Sequence, residues 1–430
     1  MSDTLIHTDP APQPESKPTL LDRLPGSNNT ILIAAFLFVL LAFVRTVTDA
    51  DALTSSSTVG VAIRATIPIM LAGLAGLWAE RAGVINIGIE GMMILGTWFG
   101  GWAAWQWGPW VGLIMAVVGG SIGGLVHAVA VVRFNVDHII SGVAINILAF
   151  GAMRFLSELA FVGEQGGGIS QSPPQSSAIP RINLPFLAGG GDTTDILGNL
   201  EDRGWFLISD IAGVLGGFAH NLSWASVIAL TLVPLTGWIL WRTVFGLRVR
   251  SSGEAPGAAE TLGVRIAPLR YAALSISGGL AGLGGGYLAI ISSSFYREGQ
   301  TASRGFIGLA TMIFGNWNPI GVLGGASLFG FGEALNLVGP AALPKLFLYL
   351  AIVAGLVFVR SAMRRRWVPA AVQGTLGVAC LVVFLTVDKI PEPLTKSVPF
   401  VLTLVVLASA TQRLRMPAHD GKPFRSGEDH

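Results

Sequence analysis

The chain has 430 residues, of which 52% are hydrophobic and only 12% are charged. Soluble domains carry about 25% charged residues, so this composition excludes an ordinary soluble fold and predicts an all-α polytopic membrane protein. The net charge of +2 gives no indication of a nucleic-acid partner, and the single cysteine, Cys380, excludes an intrachain disulfide.

The apolar segments predict about ten to twelve membrane segments, some of them broken or re-entrant. Residues 1–29 are rich in proline and charge, which is typical of a disordered tail, and they contain no cleavable signal peptide. The predicted spans are residues 30–47, 59–79, 112–132, 139–161, 224–241, 269–291, 346–359, 368–387 and 398–410, with interrupted regions at 78–105 and 305–338.

The first interrupted region carries polar groups that a lipid-facing helix lacks. Glu80, Arg81, Asn86 and Glu90 lie there among several glycines. Ionisable groups at membrane depth are costly and usually functional. One interpretation is a short cytoplasmic turn followed by an ordinary helix. The interpretation that we favour is a broken helix beside a substrate path, because irregular backbone is tolerated in a membrane only next to protein or water.

The second interrupted region resembles the first in its glycine pattern. Residues 305–314 are apolar but too short to span, since a crossing needs about 20 residues. Asn316 and Asn318 interrupt the segment, and Pro319 begins a second apolar run. Two glycine-interrupted segments in corresponding places are the pattern expected at a transport site built from repeats.

The basic residues predict the orientation of the chain. They cluster at 242–270, at 360–366 and in the C-terminal tail, which the positive-inside rule places in the cytoplasm. Both termini then lie inside and the long 163–221 loop lies outside. This arrangement requires an even number of crossings between 305 and 338, supplied by a re-entrant hairpin or by a half-helix and a full helix.

The sequence carries no enzyme signature. It contains no Walker A run, no paired histidine–carboxylate metal set and no nucleophile elbow. We therefore expect a transport subunit with no cofactor or metal of its own. Such a subunit draws its energy from an ion gradient or from a separate motor protein.

The loop at 244–268 bears on that choice. It contains a short helix-forming segment between Gly253 and Pro268 and lies in the cytoplasm by the charge argument. A short exposed helix with charges is suited to docking a partner protein, although an ordinary solvated loop is the alternative.

This loop resembles the coupling loop of the ABC-transporter permeases for simple sugars and nucleosides, which typically reads LR-R-x-x-GENP-x-A-A-x-x-x-GI. The chain differs at Ala255, where the family usually has asparagine, and at Ser251, where a small apolar residue is common. The matching residues are Leu247, Arg248, Arg250, Gly253, Glu254, Pro256, Ala258, Ala259 and Gly263.

Two further segments resemble the same family, and the resemblance covers about residues 58–360. The segment GVINIGIEGMMILG, from Gly83 to Gly96, is similar to the family's GVxNIGIEGxMLxGA. The segment RGFIGLATMIFGNWNPIG, from Arg304 to Gly321, is similar to its GrGFIxLAxxIfGxWxPxG. The NIGIEG version most resembles the nucleoside branch, with a simple-sugar permease as the alternative.

The resemblance implies the membrane subunit of a bacterial ABC importer in the plasma membrane. Its expected partners are ABC ATPase subunits, which use the ATP, a second permease subunit, and an extracytoplasmic substrate-binding lipoprotein. The permease core is then 30–360, with the 163–221 insertion outside and the 244–268 coupling loop inside. An additional C-terminal pair of spans lies at 361–412, and a cytoplasmic tail at 413–430.

Two sets of candidate site residues follow. Asn86 and Glu90, four apart, are expected on one helical face where they can hydrogen-bond ribose hydroxyls or base edges. The candidate substrate-path residues are Asn86, Glu90, Asn146, Glu333 and Asn336. The candidate ATPase-coupling residues are Arg248, Arg250, Gly253, Glu254, Pro256, Ala258 and Ala259.

Three alternatives remain open from the sequence. Each polar residue of the path can instead form a helix–helix hydrogen bond. A gradient-driven secondary transporter would use Glu90 as a proton or sodium site. A membrane scaffold or enzyme subunit would carry no substrate at all.

Overall fold

The computed structural model describes residues 26–191, 193–387 and 415–424. These residues are almost entirely helical, apart from a short antiparallel pair of strands, β1 (Arg181–Ile182) and β2 (Leu222–Ser223). Eight helices of the described part are long and apolar enough to cross a membrane. The prediction of an all-α polytopic membrane protein is therefore confirmed.

The N-terminal half consists of long helices, and two of them begin at a residue whose side chain caps the helix. Ser55 accepts a hydrogen bond from the N–H of Thr58, and Asp137 accepts from Ile139 and Ile140, so both residues cap the helices that follow them. The helices are α1 (Gly26–Thr48), α2 (Ser56–Arg81), α3 (Ile89–Trp107), α4 (Pro109–Ala128) and α5 (His138–Phe161).

The long 163–221 loop is folded in its described part. It contains the helices α6 (Ile196–Glu201) and α7 (Ile208–Ala219) and ends at the β1–β2 pair. Helix α7 lies on the start of α2, where the buried Asp210 carboxylate accepts a hydrogen bond of 2.7 Å from the Thr54 hydroxyl. The insertion is thus attached to the helical core at its α2 side.

The C-terminal half contains both full-length and shortened helices. The elements are α8 (Trp224–Arg242), α9 (Val244–Glu254), α10 (Pro256–Thr261), α11 (Ile266–Tyr287), α12 (Arg304–Phe314), α13 (Pro319–Val338), α14 (Leu343–Met363) and α15 (Trp367–Thr386). Helix α12 is a half-helix of 11 residues that is followed by the full-length α13. This is one of the two arrangements that the sequence predicts for 305–338.

The core is centred on α2. Beside it, α4 and α11 pack against each other through their glycines. From Thr66 to Glu80 every residue of α2 is buried. Gly120 on α4 and Gly282 on α11 bring the two backbones into contact, because a Cβ atom on Gly282 would collide with the carbonyl of Ala116. The two helices therefore pack closely through small residues.

Arg154 on α5 forms an ion pair with a residue from another part of the chain, since it lies 3.4 Å from Glu298 in the segment before α12. Residues 1–25 of the predicted tail and the predicted last span at 398–410 lie outside the described residues.

Candidate functional site

Residues 82–88 break the helix between α2 and α3. Gly83 adopts a positive φ of 85°, which the other residues rarely accept, and the chain continues without helix until Ile89. Asn86 is fully buried in this break, and its amide nitrogen donates to the Ser277 hydroxyl at 3.0 Å. The broken helix is confirmed. The expectation that Asn86 and Glu90 share a helical face is wrong, because Asn86 precedes the helix.

Asn146 on α5 forms two hydrogen bonds with the backbone at this break. Its side-chain oxygen accepts from the backbone N–H of Gly91 at 2.7 Å, and its nitrogen donates to the carbonyl of Ile87 at 3.1 Å. Both bonds satisfy backbone groups that a continuous helix would have satisfied internally. Asn146 therefore supports the irregular backbone that holds Asn86 and Glu90.

Glu90 connects the first turn of α3 to the start of α12. Its two carboxylate oxygens accept from the backbone N–H groups of Ser303 at 3.1 Å and Gly305 at 2.7 Å. These groups lie at the N-terminus of α12, where a helix has unpaired donors and a partial positive charge. Glu90 thus caps α12 from another helix, and the two interrupted regions of the sequence meet at this carboxylate.

A polar cavity of about 280 Å³ lies beside this contact. Its lining includes Arg64 of α2, Arg181 of the insertion, Arg304 at the start of α12, and Glu333 of α13. Arg304 and Glu333 form an ion pair at 2.6 Å, and the Nε atom of Arg304 is buried without a hydrogen-bond partner. The cavity therefore offers guanidinium donors and a carboxylate acceptor on one surface.

The structure brings most of the candidate path residues into one connected group. Asn146 contacts the backbone next to Glu90, and Glu90 contacts the backbone next to Arg304, which pairs with Glu333. Asn336 is half-buried on α13, three residues beyond Glu333, and does not line the cavity.

Arg64, Arg181 and Arg304 are not among the site residues that the sequence predicts. Arg64 lies inside a predicted span, which is a signal that could have singled it out. Arg181 belongs to the insertion, and its place in the cavity depends on the folding of a loop that no membrane pattern describes.

The C-terminal ends of α2 and α12 are joined by a second polar cluster. The indole N–H of Trp317, just after α12, donates to the Glu80 carboxylate at 2.6 Å. Arg81 donates to the Trp317 carbonyl at 2.8 Å and lies 3.6 Å from Glu254 at the end of α9. Helix α12 therefore runs from the cavity at its start to the coupling loop beyond its end.

The 244–268 loop forms two short helices, α9 and α10. Arg250 is half-buried, donates to the carbonyl of Leu240 at 2.9 Å and stacks over Trp241. A Cβ on Gly253 would press against the carbonyl of Arg81, so this glycine is required for the close approach of α9 to α2. Among the candidate coupling residues, the buried ones are Gly253, Pro256 and Ala259, and the exposed ones are Arg248, Glu254 and Ala258.

The described part of the C-terminal tail lies across this loop. We call residues 415–424 the C-terminal strap. Its backbone N–H groups at Ala418 and His419 donate to Glu254 and Gly253, at 3.2 and 2.9 Å. Further along, the N–H of Gly421 donates to the carbonyl of Gly83 at 3.3 Å. The sequence predicts only a polar tail here and gives no signal of these contacts.

The strap also brings a carboxyl group next to Glu80. Asp420 faces Glu80, Arg81 and Arg270, and burial raises the pKa of the Asp420 carboxyl to about 6. The strap, the break after α2 and the coupling loop therefore form one continuous surface.

The comparisons with known proteins agree with this architecture. Residues 57–359 match the family described as the branched-chain amino acid transport system / permease component. The chain is 36% identical to the guanosine ABC transporter permease protein NupQ of Bacillus subtilis, over 63% of this chain and 79% of that protein. It is 32% identical to the nucleoside ABC transporter permease protein NupC of Lactococcus lactis, over the same shares.

A putative glucose ABC transporter permease protein of Haloferax volcanii, TsgC13, is 31% identical over 64% of this chain and 75% of that protein. No solved structure matches the chain. The family match includes the helix break, the coupling loop, α12 and α13, and it ends within α14. The chain belongs to the permease-component family of the branched-chain amino acid transport system.

Proposed function

We propose that this chain is the membrane-spanning permease subunit of a bacterial ABC importer for nucleosides. One observation carries the proposal. The half-helix α12 lines the polar cavity through Arg304, and the Trp317 carbonyl just after it accepts from Arg81 of α2, which lies 3.6 Å from Glu254 of the coupling loop. A motion of the coupling loop is thereby linked through rigid contacts to the residues that line the cavity.

The chemistry of the cavity supports a nucleoside as the substrate. A guanidinium group can donate two parallel hydrogen bonds to the O6 and N7 acceptors of a guanine base, and a carboxylate accepts from ribose hydroxyls. Arg64, Arg304 and Glu333 supply these groups. The volume of about 280 Å³ is close to the lower end of small-molecule sites, which begin at about 300 Å³. The relatives named for guanosine and nucleosides support the same choice.

The hydrogen bonds of Glu90 argue against the gradient-driven alternative. A proton or sodium site needs a carboxylate that can exchange its partner during transport. Glu90 is instead 8% exposed, and both of its oxygens are held by backbone N–H groups of α12. This arrangement supports a structural role for Glu90 and an energy source other than an ion bound at this carboxylate.

The partners follow from the same proposal. Two ABC ATPase subunits would dock on the exposed residues of the coupling loop, Arg248, Glu254 and Ala258. A second permease subunit would complete the path, and an extracytoplasmic lipoprotein would deliver the substrate. The chain would lie in the plasma membrane with both termini in the cytoplasm. ATP would be used by the partner subunits alone.

Competition for uptake tests the substrate class. In vesicles that contain the complete transporter, unlabelled guanosine should reduce the uptake of labelled guanosine, and glucose should not. Glu333→Gln should raise the KM for guanosine roughly tenfold, because it weakens the acceptor for ribose and the pairing with Arg304. Glu164→Gln, exposed and outside the cavity, is the matched control. Inhibition by glucose with no inhibition by guanosine would favour the simple-sugar alternative that TsgC13 represents.

A further inference from the structure

A small basic pocket lies at the turn between α14 and α15, away from the cavity and the coupling loop. Its volume is about 170 Å³. Among the described residues that line it, three are arginines, Arg360, Arg364 and Arg366, and none is acidic. The positive charge of this pocket is therefore not balanced by the part of the chain that the structure describes around it.

The turn between the two helices offers no unpaired backbone acceptor at Arg360 or Ser361. The last carbonyls of α14 are occupied, since Arg360 and Ser361 accept from the N–H groups of Arg364 and Arg366 at 3.2 and 3.0 Å. The pocket lies against the first turns of the 20-residue α15, where the N–H groups of Trp367 and Val368 have no partner within the helix and the helix dipole is positive. Such a position attracts an anion.

Gln373 provides an independent sign of a ligand. It lines the pocket from α15, it is 2% exposed, and its Oε1 atom has no hydrogen-bond partner. Burying an amide without a partner costs free energy, so a group that satisfies it would be favoured. A side-chain amide can donate to a phosphate oxygen and can accept from a hydroxyl group.

The surroundings of the pocket identify the source of the anion. Met363, Trp367 and Val368 beside it are 79%, 70% and 77% exposed. Exposed apolar side chains and a tryptophan next to arginines are typical of the boundary between a membrane and water. A free phosphate would leave these side chains uncovered, whereas the acyl chains of a lipid would cover them.

We propose that this pocket binds the headgroup of an anionic phospholipid that carries a hydroxyl group, such as phosphatidylglycerol. The phosphate lies between Arg360, Arg364 and Arg366, at the N-terminus of α15. The headgroup hydroxyl donates to Gln373, and the acyl chains run along Trp367 and Val368. The inference is independent of the transported substrate, because none of these residues lines the cavity.

Lipid retention by the purified full chain tests this site. The protein in detergent is mixed with equal amounts of phosphatidylglycerol and phosphatidylcholine, and the retained lipid is measured by native mass spectrometry. The wild type should prefer phosphatidylglycerol. The double variant Arg360→Gln/Arg364→Gln should lose this preference by roughly tenfold, and Gln373→Met should weaken it without a change of charge. Arg242→Gln, an exposed arginine at the end of α8, should retain it.

Two controls separate a lipid site from a loss of folding and from a site for free anions. The unfolding temperature of each variant in phosphatidylcholine should equal that of the wild type. An excess of inorganic phosphate should displace little phosphatidylglycerol. The proposal is wrong if the preference survives in both pocket variants, or if Arg242→Gln removes it equally. It is also wrong if inorganic phosphate displaces the lipid fully, because the pocket would then bind free anions.

Discussion

At the scale of single residues, Glu90 joins two interrupted helices through backbone hydrogen bonds. Its carboxylate accepts from Ser303 and Gly305, and the neighbouring Gly91 is held by Asn146. An ionised acceptor at a helix N-terminus forms stronger bonds than a neutral one. The position of α12 relative to α3 therefore depends on this one side chain.

Glu90→Gln should lower the stability of the protein as well as its activity. The amide group can accept only one of the two backbone hydrogen bonds, which leaves a buried N–H unpaired at a cost of about 1–3 kcal/mol. The unfolding temperature in detergent measures this loss, and Glu158→Gln, exposed on α5, is the matched control. An unchanged unfolding temperature together with complete loss of uptake would instead identify Glu90 as an ion site.

The sequence predicts the identity of the polar residues better than their partners. Asn86, Glu90 and Asn146 can be selected because polar groups stand out within apolar segments. The pairing of Arg304 with Glu333 could not be predicted, because it depends on how far the half-helix α12 enters the core. The four-residue spacing between Asn86 and Glu90 predicts that both lie on one helix. It does not show that the non-helical segment continues to Gly88.

At the scale of elements, α12 connects the cavity with the coupling loop. The sequence predicts that its 11 residues are too short for a crossing, and the interruption at Asn316 and Asn318 marks where it ends. What the sequence could not show is that Trp317 contacts Glu80 and Arg81 at the end of α2. That contact joins residues more than 230 positions apart.

Trp317→Phe should separate ATP hydrolysis from transport. The variant keeps an aromatic ring but removes the hydrogen bond to Glu80, so the end of α12 is held less firmly against α2. We expect the substrate-stimulated ATPase rate of the complex to remain within about twofold of the wild type while uptake falls roughly tenfold. The ratio of nucleoside imported to ATP hydrolysed measures this effect. Trp110→Phe, an exposed tryptophan at the start of α4, should change neither rate. Equal loss of both rates would contradict a transmitting role.

Because α4 and α11 are in such close contact, we expect that adding a single methyl group between them lowers the stability of the protein. Gly282→Ala places a methyl group against the Ala116 carbonyl, and overpacking of this kind costs about 1–3 kcal/mol. Gly355→Ala on α14 is the matched control, since its added methyl group meets no neighbour within 4 Å. Thermal unfolding should distinguish the two variants. Equal unfolding temperatures would show that the two helices are less closely packed than the structure indicates.

At the scale of the whole molecule, the C-terminal strap joins two segments that are far apart in the sequence. It connects the coupling loop at Gly253 and Glu254 with the helix break at Gly83. The sequence could not predict this arrangement, because a short polar segment carries no periodicity that indicates its docking place.

Attachment of the strap should depend on pH. Burial raises the pKa of Asp420 from 3.8 to about 6, so the attached state binds a proton more readily than the detached state. Attachment is therefore strongest near pH 4 and weakens as the pH rises through about 6, where the Asp420 carboxyl loses its proton. Spin labels at Leu262→Cys and Lys422→Cys, in a Cys380→Ala background, would measure the distance between the strap and the coupling loop. Asp420→Asn should remove the pH dependence, and a variant that keeps it would show that another group titrates.

The most direct test of the account is the energy requirement of nucleoside uptake. The permease is reconstituted into sealed vesicles with its ATPase subunits and binding protein, and labelled guanosine uptake is measured with and without ATP at the ATPase side. The account predicts uptake that requires ATP, survives collapse of the proton and sodium gradients, and falls roughly tenfold in Glu254→Ala with substrate delivery unchanged. Uptake by the permease alone, driven by an ion gradient without ATP, would contradict it.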